Sequence, residues 1–174
     1  MSNITKVAKT MAYITQGSIG LLVLSFAYVW SDKDIRTEVL SQYLIGIDRA
    51  NISTQSLLAG FLLSAVLFAV LIYGLSQCLL FFKLYQSGEI FPEKSGQYLS
   101  NFGTALFLLS PATILIRSIS SVIFSLHLPQ GQKEFVVAID GADILVLIIG
   151  GLVFMVGHIL NIARTVAEEH KQII

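Results

Sequence analysis

The charge that invites chemistry is Arg117. It stands in residues 99–128, a stretch with no other charged side chain, among Ser118, Ser120, Ser121 and Ser125. An ionised group within an apolar run marks a functional site by default, because it is costly to keep away from water. Asp140 and Asp143 stand just ahead of the next apolar run and are the acidic groups closest to it in depth. Three readings follow. The guanidinium snorkels to the headgroups with its stem in the apolar layer. Alternatively, it forms an intramembrane ion pair with Asp140 or Asp143 and pins two helices together. The third is a ligand or ion pathway, with Pro111 breaking the same helix as broken helices do in transporters.

Other candidates are weaker. His158 and Asn161 fall on one side of the last apolar run and are expected to pack and hydrogen-bond inside the protein. A haem site needs two histidines at matching depth, and His127 lies at the opposite membrane face from His158. Cys78 is the single cysteine, so neither an internal disulfide nor a metal cluster follows from it. No P-loop, G-x-S-x-G or H-E-x-x-H motif is present, nor paired carboxylates within an apolar run. The expectation is a non-enzymatic protein with no cofactor and no metal.

What must hold these residues is a membrane fold. The chain has 174 residues, of which 55% are hydrophobic and 13% charged, and its mean hydropathy is +0.77. Soluble domains carry about twice that share of charge. Eleven basic and eleven acidic side chains cancel. A zero balance gives no general pull toward nucleic acid, and no direct binding to it is expected.

A bilayer core about 30 Å thick takes about 20 apolar residues as a helix. Four stretches meet that length: about 11–30, 57–82, 99–127 and 143–163. The expected fold is a single all-α membrane domain over 1–174, a four-helix transmembrane bundle. The first stretch is longer than a secretory h-region and ends in Tyr28, Val29 and Trp30, which suits an interface rather than a cleavage site. It is expected to be a retained helix. At 1.5 Å per residue, Arg117 lies about 27 Å beyond Leu99, near the outer boundary.

Orientation comes from the loops. With the N-terminus inside, Lys6, Lys9, Lys83, Lys94, Arg164 and Lys171 are cytoplasmic, and Lys33, Arg36, Arg49 and Lys133 are outside. That bias has the sign of the positive-inside rule and puts both termini in the cytoplasm. Small residues (Gly17 and Gly20; Ala59, Gly60, Ser64, Ala65 and Ala69; Gly150, Gly151 and Gly157) mark expected helix contacts.

The first outer loop carries Ile35, Val39, Leu40, Tyr43, Leu44 and Ile47 at steps of three to five, one face of an amphipathic helix. It senses a ligand or partner, or it lies on the headgroups and caps the bundle. The cytoplasmic hairpin, 83–98, contains Gly88, suited to end a helix, and Pro92, suited to the first turn of the next. Residues 132–139 fit either a short strand or the start of the last helix. The tail, 164–174, follows the last helix without a breaker and should continue it.

The hairpin and tail together resemble a known family. Residues 84–91 (Leu-Tyr-Gln-Ser-Gly-Glu-Ile-Phe), with Gly103 in the following helix, are similar to the inter-helix signature of the DUF2975 membrane proteins. The ending Ala167-Glu168-Glu169-His170-Lys171-Gln172-Ile173-Ile174 resembles the family's Glu-Glu-Asn-x-x-Ile-Val, with His170 in place of asparagine and Ile174 in place of valine. The resemblance implies a bacterial protein integral to the cytoplasmic (inner) membrane. It also implies a companion role to small helix-turn-helix regulators, and it brings no catalytic residues. On that basis Glu89, Phe91, Glu168 and Glu169 are the expected cytoplasmic interaction surface. The expected partners are the lipid bilayer, a cytoplasmic protein and, in an oligomer, further copies of the chain. The alternative is a small transporter or channel subunit.

Overall fold

The computed structural model describes residues 3–43, 54–87, 92, 94–125, 137 and 139–172. Among them are five α-helices and no strand. They are α1 (Asn3–Ser31), α2 (Lys33–Tyr43), α3 (Thr54–Leu84), α4 (Ser95–Ser125) and α5 (Gly141–Gln172). A single 3-10 turn, Tyr85–Ser87, closes α3. All but α2 are long and apolar enough to cross a membrane. Four crossings put the two termini at one end of the bundle. The opposite end, where α1 passes to α2 and where α5 begins, is the loop end.

The long helices pack in chain order: α1 on α3, α3 on α4, and α4 on α5. The pattern of burial is that of a protein built for lipid. Large apolar side chains such as Leu24, Leu62, Leu115 and Leu152 point outward, whereas Ala8, Ala12, Ala105, Ser110, Ser118 and Ser120 are buried. Lipid tails solvate leucine as well as another helix does, so association falls to small residues that let backbones approach.

The tightest seam joins α4 to α5. Ser100 meets Gly157, Gly103 meets Phe154, and Phe107 meets Gly150. The α4 positions advance by three and four residues while the α5 positions recede by the same steps. This is the seam of an antiparallel pair. A methyl group on Gly150 would lie 2.5 Å from the Phe107 nitrogen and 2.9 Å from the Leu106 carbonyl carbon. Any side chain there collides with backbone, which cannot swing aside. Between α3 and α4 the contact is looser, with Gly74 against Ala105 and an Asn101 Nδ2–Gln77 Oε1 hydrogen bond of 3.2 Å.

Some expectations need correction. A methyl group added to Gly17 or Gly20 would meet nothing within 4 Å, so they are not helix contacts, and one added to Gly151 would reach only the Phe107 ring at 3.8 Å. Pro92 does not lie in the first turn of α4. Its carbonyl accepts from Ser95 N–H at 3.1 Å in a turn, and the helix starts only at Ser95, with Lys94 O accepting from Tyr98 N–H. His158 is not packed within the protein. It is exposed and stacks on Phe154, rings 6.3 Å apart and 8° from parallel. Its neighbour Gly157 holds the seam position, and one residue turns a helix side chain about 100° away. Residues 132–136 and 138, together with His127, Gly88, Leu44 and Ile47, lie outside the described residues.

The loop helix forms where its periodicity places it, over Lys33–Tyr43. Only Asp32 separates it from α1. The Asp32 Oδ1 accepts from Asp34 N–H at 2.9 Å and from Ile35 N–H at 3.1 Å, so Asp32 is the N-cap of α2. Asp32→Ala should therefore cost α2 about 1 kcal/mol, whereas Asp32→Asn should cost little. Amide hydrogen exchange at Asp34 and Ile35 checks this: it should speed up in the alanine variant alone.

Candidate functional site

Two features at the loop end share Arg117. The first is its ion pair. The Arg117 Nη1 lies 3.0 Å from Asp143 Oδ2, with the carboxylate side chain 9% exposed and the arginine 24% exposed. Asp143 is placed by the start of α5. The Asp140 carbonyl accepts from Asp143 N–H at 3.0 Å, which makes Asp140 the N-cap and Asp143 the third helical residue. From there the Asp143 Oδ2 also accepts from Asp140 N–H at 3.0 Å. This is the return half of a capping box, with aspartate where glutamate is usual. A carboxylate in the first turn also faces the positive end of the helix dipole. One oxygen thus caps α5 and ties it to α4.

Ser110, one turn-pair earlier on α4, adds a second tie. Its hydroxyl donates to the Asp143 carbonyl at 2.7 Å, and this bond is buried. The next residue, Pro111, has no N–H to give to the Phe107 carbonyl. The proline is nonetheless accommodated within a continuous helix. Of the three ion-pair candidates, Arg117 and Asp143 are joined through their side chains. Asp140 contributes backbone only, and the residue is exposed.

The second feature is a cavity of about 450 Å³ between α1, α3 and α4. It extends along α3 from Gly60 to Leu71, about 17 Å of helix. Leu22, Phe26, Leu63, Leu67, Phe68 and Ile116 make its wall apolar. Phe26 is stacked on Phe68 at 4.4 Å, and the Trp30 ring meets Phe61 edge-on at 4.9 Å, which gives the wall a rigid aromatic corner. The α2 residues Arg36 and Val39 line the loop end, and Arg117 reaches the same region from α4. The Arg36 Nη1 donates to the Trp30 carbonyl at 3.2 Å, but its Nε is buried without a hydrogen-bond partner.

The expected cytoplasmic surface is only partly within view. Glu89 and Phe91 lie outside the described residues. Glu168 and Glu169 fall on the backbone of α5, which runs on to Gln172, and their side chains are outside the description.

Sequence reasoning missed the cavity and Arg36. Arg36 reads as a loop charge on the polar face of an amphipathic helix. The available signal was its position one turn after an N-capping aspartate, which turns the side chain back toward the end of α1.

Comparison with known proteins gives a family and no function. No curated protein matches the chain, and no solved structure does. Residues 22–174 match the family described as "Protein of unknown function (DUF2975)". That span covers α2 to α5 and the last ten residues of α1, 22–31, and the chain accordingly belongs to the DUF2975 family.

Proposed function

We propose that this is a non-enzymatic, multi-pass protein of the bacterial cytoplasmic membrane that acts as an interaction partner for a cytoplasmic protein. Both termini face the cytoplasm in this reading. The observation that carries it is α5. One helix of 32 residues, about 48 Å long, runs without interruption from the Arg117–Asp143 pair to the charged segment at Glu168 and Glu169. The glycine seam clamps its membrane portion to α4, so the two helices form one stiff unit with a tail projecting beyond the membrane. Such a unit presents a fixed helical surface to a soluble partner, and the companion class is a small helix-turn-helix regulator. A transport pathway through Arg117 and Asp143 is less well supported, because the two groups satisfy each other and the adjoining cavity wall is apolar.

The test is affinity purification from native membranes in mild detergent, comparing the full chain with a variant ending at Arg164. A soluble DNA-binding regulator should accompany the full chain and fall at least tenfold with the shortened one. Equal recovery from both would remove the tail from the reading. A clean self-oligomer in both would shift the function to transport.

A further inference from the structure

The cavity between α1, α3 and α4 has the form of a ligand site. Its volume, about 450 Å³, lies within the range of small-molecule pockets, roughly 300–1,000 Å³. It follows α3 over about 17 Å. Its polarity is divided: the depth of the wall is leucine and phenylalanine, and two guanidinium groups stand at the loop end. We propose that it binds a single-chain amphiphile with a carboxylate head, of the fatty-acid class, with the head against Arg36 and the chain between α1, α3 and α4.

Arg36 supplies the argument for the head. An arginine donor that is buried and unpartnered loses its hydration without replacement, which is unfavourable. Arg36 lines the cavity, so its guanidinium is open to a carboxylate there. The two carboxylate oxygens match the fork of a guanidinium, and bonds between ionised partners are the stronger class. The charge balance agrees. Arg117 is matched by Asp143, which leaves the Arg36 cation to attract an anion. The apolar wall supplies the argument for the tail, since a methylene chain gains about 0.8 kcal/mol for each CH₂ removed from water. A two-chain phospholipid is the competing occupant, and the binding comparison separates the two. Val39 and Arg36 bring α2 to the same end of the wall. None of this depends on the cytoplasmic partner.

The experiment is native mass spectrometry of the full chain in a neutral detergent, with hexadecanoate, hexadecanol and a two-chain anionic phospholipid as probes. One hexadecanoate should bind per chain, and hexadecanol at least about tenfold more weakly. Arg36→Gln should bring hexadecanoate down to the level of hexadecanol. Leu67→Trp fills the channel while leaving Arg36 in place, and should abolish binding of both. The first comparison uses the unaltered protein, so a poorly folded variant does not obscure it. No hexadecanoate adduct, equal affinity for hexadecanol, or preference for the two-chain phospholipid would each overturn the proposal.

Discussion

Asp143→Leu is expected to destabilise the protein by about 3–5 kcal/mol, the range for removing one partner of a buried ion pair. The change does two things at once. It takes the Asp143 carboxylate away from Arg117, and it strips α5 of the acceptor for Asp140 N–H. Arg117→Leu should cost less, about 3 kcal/mol, because Asp143 keeps the Asp140 N–H and the helix dipole. The double variant should cost less than the sum of the two by more than 1 kcal/mol, as expected for groups in direct contact. Asp143→Asn distinguishes the two roles: the amide oxygen still accepts from Asp140 N–H, but the charge is gone. Exchanging the pair, Arg117→Asp with Asp143→Arg, should not rescue. An arginine in the first turn of α5 opposes the helix dipole and has no acceptor for Asp140 N–H. Reversible unfolding in mixed micelles measures all five. Additive single losses, or full rescue by the exchange, would show that Asp143 does not act as both cap and counter-ion.

That pair also shows what the sequence made legible. The depth of Arg117 follows from counting residues at 1.5 Å each, and the start of the last span falls at the same depth. Which aspartate it meets was open, because the choice depends on where α5 begins. With the helix starting at Gly141, Asp143 occupies the third position and turns back toward Asp140, so a single residue of register decides between them. The four spans and the loop helix were legible for a simpler reason: run length and periodicity are local properties. The cavity was not, because it needs side chains from three long helices and α2 at once. Glycine spacing carried an ambiguous message as well. Gly150 and Gly157 occur in the seam and Gly17 and Gly20 face open space, yet all four look alike in sequence. What separates them is the partner helix, and the antiparallel register of α4 on α5 is a tertiary fact.

Glycine substitutions should therefore split by sign. Gly150→Ala puts a methyl group 2.5 Å from one backbone atom of α4 and 2.9 Å from two more. Relief requires the two helices to separate, which also lengthens the Ser110 hydroxyl–Asp143 carbonyl bond and the Arg117–Asp143 contact at the end of the same seam. Overpacking of this kind costs about 1–3 kcal/mol. Alanine returns up to about 1 kcal/mol through its better helix propensity, so a net loss remains. Gly150→Leu should exceed it, since the extra atoms have nowhere to go. Gly103→Ala should behave like Gly150→Ala, because its methyl group would strike the Phe154 backbone. In contrast, Gly17→Ala and Gly20→Ala meet nothing and should be neutral or stabilising by up to about 1 kcal/mol. Unfolding midpoints in one detergent rank the set. The prediction is lost if Gly150→Ala is as stable as the unaltered protein, or if Gly17→Ala is as damaging as Gly150→Ala. A loss at Gly150 with Asp143 hydrogen bonding intact would separate the seam from the ion pair. The two together hold α5 against α4.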